Sequence, residues 1–158
     1  MIVRIAYTVF IGILLATFVG VGIAAFYPGP KQPEYPIELT KPRPIGSDGE
    51  QWTEEEIKKQ QESEKERRVF EKQSQIYSKN VSIIAVSASV IILAISLIFL
   101  KTILFLADGL LLGGVLTLLY SIIRGFQSED EKFRFIVVSI GLAIALFLGY
   151  IKFIKSKK

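Results

Sequence analysis

The stretch VSIIAVSASVIILAISLIFLKTILFLADGLLLGGVLTLLYSII, residues 81–123, decides the fold class of this chain. It holds only two charged residues, Lys101 and Asp108, and is about twice as long as the ~20 apolar residues that one transmembrane helix needs. Transmembrane strands alternate apolar and polar residues, and this stretch does not. It therefore predicts a hairpin of two membrane-spanning helices.

Two more apolar blocks, residues 2–26 and 135–153, flank this stretch, and each is long enough for one span. The first block exceeds the ~7–15 apolar residues of a secretory signal core, so we expect a membrane helix there. Hydrophobic residues make up 51% of the chain and its mean hydropathy is +0.44. Together these features predict an all-α membrane protein with four transmembrane helices.

The predicted boundaries follow from the apolar blocks and the residues between them. They are transmembrane helix 1 at 1–27, a proline-rich extended arm and turn at 28–52, a charged helical stalk at 53–79 continuous with transmembrane helix 2 at 80–100, transmembrane helix 3 at 102–124, a short loop at 125–133, transmembrane helix 4 at 134–153 and a basic tail at 154–158. A turn at Lys101 gives two spans of ordinary length, whereas the alternative turn at Asp108 would leave helix 3 short.

The polar segment between helices 1 and 2 begins with an arm rich in proline. Pro30, Pro33 and Pro36 recur at every third residue, which matches the three-residue turn of polyproline II. The stalk then begins with a capping box formed by Thr53 and Glu56. Trp52 and Ile57 flank this box as a hydrophobic staple.

Apolar residues recur one heptad apart on the stalk, which is a weak coiled-coil pattern. They are Val69, Phe70, Ile76 and Tyr77. A second interpretation is a hairpin in which the arm packs along the stalk. The pairing would place Tyr35, Ile37 and Leu39 against Ile57, Val69, Phe70 and Ile76. The alternative to both is an arm that packs against nothing.

Small residues at four-residue spacing form ridges on three of the predicted helices, and such ridges let membrane helices approach closely. The ridges are Gly12, Ala16, Gly20 and Ala24 on helix 1, Gly109 and Gly113 on helix 3, and Gly141, Ala145 and Gly149 on helix 4. A second capping box, Ser128 with Glu131, predicts the start of helix 4.

The composition excludes several classes of chemistry. The chain contains neither Cys nor His, which removes thiolate and imidazole ligands and the commonest general base. No nucleotide-binding or catalytic motif is present, so we expect no enzyme and no cofactor. The net charge of +4 comes largely from the lysines of the tail, which favours contact with lipid headgroups over nucleic acid.

Asp108 is the one residue in an apolar span that suggests chemistry, because a charge within lipid is costly and is often functional. An ion or proton site could combine Asp108 with Lys101, Ser89 and Ser96. The structural alternative is an aspartate near the helix 3 start that caps backbone groups or pairs with Lys101.

Two functions remain open on this basis. The first is a noncatalytic structural or assembly subunit that binds membrane lipids and forms a homo-oligomer or joins other membrane proteins. The second is a homo-oligomeric ion or proton pathway through Asp108 and the serine-rich face of helix 2. Basic residues are concentrated at the termini, so the positive-inside rule predicts cytoplasmic termini and a polar segment on the outer side.

Overall fold

The computed structural model describes residues 2–33, 54–99 and 103–151. Within these ranges the chain forms four helices, which are α1 (Ile2–Phe26), α2 (Glu54–Phe99), α3 (Leu104–Phe126) and α4 (Glu131–Gly149). Each helix is long and apolar enough to cross a membrane. The prediction of an all-helical chain with four such helices is therefore confirmed for the described residues.

The chain divides into two compact units. One contains Met1–Pro28 and Gln75–Lys158, and the other contains Gly29–Ser74, so α2 contributes residues to both. Several predictions fall outside the described residues. These concern the arm residues Tyr35, Pro36, Ile37 and Leu39, the Trp52 and Thr53 part of the first cap, Lys101 and the basic tail.

In the first unit, α1 and α3 run in the same direction. Near their starts, the rings of Tyr7 and Phe105 meet edge to face with centroids 5.7 Å apart. Farther along both helices, Leu15 lies against Gly113. Because earlier residues of α1 contact earlier residues of α3 and later residues contact later ones, the two helices are parallel.

The helices α2 and α4 run opposite to α3. Ser82 of α2 bonds Ser121 near the end of α3, whereas Ser96 bonds Ala107 near its start. On α4, Val137 lies near Gly125, and the later Gly141 lies against Ile122. Successive helices therefore alternate in direction, as a chain that crosses a membrane four times requires.

The helix α3 contacts all three of the others, as does α2. Its buried residues are Ala107, Gly109, Gly113, Gly114, Thr117, Leu118, Ser121 and Gly125. By contrast, only Gly12 and Ile23 are buried on α1. Among the four described spans, α3 is thus the most buried inside the chain and α1 the least.

Large apolar side chains cover the outer surface of the helices. Phe18 of α1 and Ile98 of α2 are each 73% exposed, and Phe135 of α4 is 75% exposed. A continuous apolar exterior of this kind is unfavourable in water and is expected where the neighbouring medium is lipid.

The start of α4 corrects one prediction. Its N-cap is Asp130, whose Oδ1 accepts a hydrogen bond from the Phe133 backbone N–H at 3.1 Å. Ser128 was the predicted cap, but its Oγ accepts from the Asp130 N–H in the preceding turn. The proposed box of Ser128 with Glu131 is therefore wrong, because the helix begins too late for Ser128 to reach its free N–H groups.

Candidate functional site

Buried hydroxyl groups join α2 to α3. Ser82 Oγ donates to the Ser121 carbonyl oxygen at 2.9 Å, and Ser121 Oγ donates to the Ser82 carbonyl oxygen at 2.8 Å. Both side chains are completely buried. This reciprocal pair bonds the two helices without any charged group, in a place where water cannot compete for the hydroxyls.

The residues predicted for an ion or proton site are only partly brought together. Ser96 Oγ donates to the Ala107 carbonyl oxygen at 2.7 Å, which places Ser96 beside the residue that precedes Asp108. Ser89 donates to Val86 on its own helix at 2.9 Å. Asp108 is half-buried in the second turn of α3, and Lys101 lies outside the described ranges.

The buried hydroxyls of α2 and α3 each donate their single hydrogen to an acceptor within the chain. Thr117 Oγ1 donates to the Gly113 carbonyl oxygen at 2.8 Å, and Ser78 Oγ donates to Gln127 Oε1 at 3.0 Å. In the described part of the chain, no buried side-chain nitrogen or oxygen lacks a hydrogen-bond partner. These ranges also contain no group of three or more carboxylates able to hold a metal ion.

Three glycines set the contact between α1 and α3. A Cβ atom added at Gly113 would lie 2.8 Å from Leu15 Cδ2 and 3.2 Å from the Gly12 carbonyl oxygen. At Gly109 it would lie 2.9 Å from Ile11 Cγ2, and at Gly12 it would lie 2.8 Å from the Leu112 side chain. The two helices interlock here because no side chain separates their backbones.

Further glycines sit where α3 meets α2 and α4. A Cβ atom at Gly114 would lie 2.6 Å from Leu93 Cδ2 of α2. One at Gly141 of α4 would lie 3.0 Å from Ile122 Cδ1 of α3. The four-residue spacing in the sequence includes Gly141 but not Gly114. Gly114 follows Gly113 directly in the chain, so it lies beside the ridge of Gly109 and Gly113 and not on it.

The remaining members of the ridges do not lie at close contacts between the described helices. A Cβ atom at Gly20 of α1 or at Gly149 of α4 would meet no atom of the described chain within 4 Å. Ala24 and Ala145 are exposed and Ala16 is half-buried. Each step of four residues turns about 40° beyond a full helical turn, so a ridge with this spacing winds gradually away from a straight contact.

Tyrosines and an arginine meet at the end of α3. The rings of Tyr27 and Tyr77 stack with centroids 5.4 Å apart, and Asn80 Nδ2 donates to Tyr27 Oη at 2.8 Å. The Arg124 guanidinium lies 5.7 Å from the Tyr77 ring centroid and 5.6 Å from that of Tyr120. Sequence patterns indicate aromatic residues near membrane surfaces, but they do not reveal that three separate helices bring these rings together.

At the same end of the unit, a polar contact joins α2 to the loop before α4. Lys79 Nζ lies 3.0 Å from Asp130 Oδ2 and 4.9 Å from the Phe133 ring centroid. The Lys79 ammonium, followed by the Phe133 N–H, holds the pKa of Asp130 below its ordinary value. Arg134 Nε donates to the Ser128 carbonyl oxygen at 2.6 Å, which further orders the loop.

In the second unit, the described beginning of the arm lies beside α2. Lys31 and Pro33 line a shallow groove together with Lys65, Val69 and Phe70. Pro30 is half-buried. Of the other predicted packing residues, Ile57 is 42% exposed and Ile76 of the first unit is 61% exposed.

Comparison of the chain with protein-family models, with curated proteins and with solved structures gave no significant match.

Proposed function

We propose that this chain is a small noncatalytic integral membrane protein that acts as a structural or assembly subunit. It binds further membrane helices through the parts of its small-residue ridges that the bundle leaves open. Its arm and stalk provide a second contact region outside the lipid. The partner we propose for the membrane contact is another copy of the same chain.

The observation that carries this proposal is the pair of open glycines Gly20 and Gly149. A glycine inside a helix costs roughly 0.5–1 kcal/mol relative to alanine, and a close approach by a neighbour offsets that cost. Gly12 and Gly141 have such neighbours within the bundle, but Gly20 and Gly149 have none in the described chain. A helix from another molecule would supply the missing contact on both α1 and α4.

The serine contacts support a noncatalytic role. Ser82, Ser96 and Ser121 donate to backbone carbonyl oxygens across the contact between α2 and α3. Hydroxyls used in this way hold helices together, and their hydrogens are not available to a substrate. The buried polar groups therefore hold α2 and α3 in a fixed arrangement, as a structural subunit requires.

The assembly proposal is tested by the mass of the full chain in mild detergent or lipid nanodiscs. We expect the wild type to exceed its monomer mass of 17.7 kDa. Gly20→Leu and Gly149→Leu should shift it toward the monomer, because a bulky side chain would block the approaching helix. The matched control is Ala143→Leu, on an exposed position of α4, which should leave the mass unchanged. A wild type that runs only as a monomer contradicts the proposal.

We further propose that the arm packs along the stalk as a hairpin. The groove that Lys31 and Pro33 line with Val69 and Phe70 supports this arrangement, because the described end of the arm already lies beside α2 there. Limited digestion with a protease of broad specificity tests it. We expect slow cleavage between Lys31 and Arg43, and rapid cleavage there at early times would contradict a packed arm.

For the orientation, we propose cytoplasmic termini and an outer polar segment. The chain has no cysteine, so single cysteines can be introduced at Ser63 and Ser156 without background labelling. A membrane-impermeant maleimide applied to intact cells should label Ser63→Cys and should label Ser156→Cys only after permeabilisation. Labelling of Ser156→Cys alone would show the reverse orientation.

A second candidate function, an ion or proton pathway, rests on the half-buried position of Asp108 in α3 beside the Ser96 contact. Its test is flux in proteoliposomes containing the wild type or Asp108→Asn. Flux that depends on Asp108 would favour the pathway over the assembly role, whereas its absence in both forms would remove the pathway from consideration.

A further inference from the structure

The end of α3 carries a group that we call the tyrosine–arginine cluster, consisting of Tyr27, Tyr77, Tyr120 and Arg124. Its residues come from the position directly after α1, from α2 and from the last turns of α3. All four are partly exposed, so the cluster faces the surroundings of the protein and is not sealed inside the bundle.

Arg124 is held in place by contacts along its length. Its Nε donates to Tyr120 Oη at 3.2 Å, and its Nη1 donates to Gln127 Oε1 at 3.1 Å. Gln127 is itself fixed by Ser78, which donates to the same oxygen at 3.0 Å. The guanidinium also lies over the Tyr77 and Tyr120 rings, so these contacts together order it before any ligand arrives.

The charge of Arg124 has no carboxylate partner in the described ranges. At the same end of the unit, Lys79 is neutralised by Asp130 at 3.0 Å, whereas no carboxylate of the described residues pairs with Arg124. Arginine stays protonated in proteins and carries five N–H donors. The two hydrogens on Nη2 have no acceptor among these residues, so a fixed cation with free donors remains at this surface.

The position of the cluster along the helices matches the level of lipid phosphates. Arg124 lies in the last turn of α3, after the apolar run and just before the polar turn at Gln127 and Ser128. Tyrosine rings favour the same boundary between hydrocarbon and headgroups. We therefore expect the arginine to lie at the depth at which phospholipids present their phosphates.

We propose that the tyrosine–arginine cluster binds the phosphate of an anionic phospholipid, with Arg124 as the direct ligand. A guanidinium matches a phosphate with two parallel hydrogen bonds, which a lysine cannot form. Because Arg124 already occupies the tyrosine faces, the cation of a zwitterionic headgroup would be repelled and not bound there. The cluster should therefore prefer phosphatidylglycerol to phosphatidylcholine. This inference does not depend on the assembly role.

Native mass spectrometry of the delipidated full chain, titrated with each lipid, tests the proposal. We expect the wild type to bind phosphatidylglycerol at least ~10-fold more tightly than phosphatidylcholine, since placing the choline cation beside the Arg124 guanidinium should cost at least that factor through like-charge repulsion. Arg124→Gln should abolish the preference. Arg4→Gln, which removes one positive charge at the start of α1, should retain it.

Two further variants keep the test decisive if Arg124→Gln does not fold. Arg124→Lys keeps the charge but loses the paired hydrogen bonds, and Tyr120→Phe keeps the ring but removes the acceptor for Nε. Both should weaken phosphatidylglycerol binding, with less effect on phosphatidylcholine.

Three results would overturn the proposal. The first is equal affinity of the wild type for the two lipids, and the second is an equal loss of preference in Arg4→Gln and Arg124→Gln. The third is full displacement of the lipid by millimolar inorganic phosphate, which would indicate a site for the free anion in place of a lipid.

Discussion

At Gly113 the backbones of α1 and α3 come so close that a single methyl group matters. An added Cβ atom would be 3.1 Å from Leu15 Cβ and 3.2 Å from the Gly12 carbonyl oxygen, neither of which is a flexible end. We predict that Gly113→Ala lowers the free energy of unfolding by about 1–3 kcal/mol through overpacking. Reversible unfolding of the wild type and the variant in bicelles or mixed micelles would measure this change in free energy.

Gly20→Ala is the matched control, because the new methyl group meets nothing in the described chain. It should leave the monomer unchanged or raise its stability by up to ~1 kcal/mol through helix propensity. Equal destabilisation by both substitutions would mean that the contact at Gly113 is not as close as described.

The Ser82 and Ser121 pair allows a second prediction. Because the two hydroxyl oxygens also lie 3.2 Å apart, where either can donate to the other, their contributions should be coupled. A double-mutant cycle with Ser82→Ala and Ser121→Ala should give about 1 kcal/mol, within the range measured for membrane helices. Pairing Ser82→Ala with Ser87→Ala should give additive effects, since Ser87 bonds only Ile83 of its own helix. Additivity in the first cycle would refute the contact between the two hydroxyls.

The ridges show what spacing alone can establish about single residues. A four-residue repeat marks positions that share a helix face over two or three turns, and Gly12, Gly109 and Gly113 do lie at close contacts. The pattern does not state where along a ridge the partner helix ends. That limit depends on helix crossing, which comes from the whole bundle, so the open position of Gly20 could not be read from the sequence.

At the scale of helices, the ends are less predictable than the spans. The length of each apolar block is sufficient to predict a helix, because lipid offers no partner for unpaired backbone groups. The start of α4 is different, because serine and aspartate are about equally good N-cap residues and the sequence prediction chose Ser128, whereas the helix is capped by Asp130. The position of Lys79, which is 51 residues away in the chain, favours Asp130, and such a contact is not visible in the local sequence.

The cap at Asp130 should make the start of α4 sensitive to acid. Its pKa is lowered by the hydrogen bond from Lys79 and by that from the Phe133 N–H. A lowered folded pKa gives stability that is present above the unfolded value of about 4 and is lost as the pH falls through the folded value.

We therefore predict a lower thermal midpoint for Asp130→Asn than for the wild type at pH 7, and a smaller difference at pH 3. Asn retains the cap but not the charge, so Asp130→Ala should be the less stable variant at both pH values. Glu129→Gln removes a neighbouring charge outside the cap and serves as the control. A difference between wild type and Asp130→Asn that stays constant from pH 7 to pH 3 would exclude the ion pair as its cause.

At the scale of the whole molecule, the buried residues lie mostly on α2 and α3, and the exposed surface of the apolar spans is hydrophobic. Side chains such as Phe18, Ile98 and Phe135 lie on the outside. This distribution is opposite to that of a water-soluble bundle, in which the outer face is polar. The alternating helix directions and the apolar exterior both follow if the surrounding medium is a bilayer.

The transmembrane assignment is tested most directly by removing every amphiphile from the purified full chain. We predict that the protein is monodisperse and helical in lipid nanodiscs, and that it aggregates when detergent is withdrawn without lipid, because its outer apolar side chains then meet water. Size-exclusion chromatography with circular dichroism measures both properties. A monodisperse, folded protein in plain buffer would contradict the assignment.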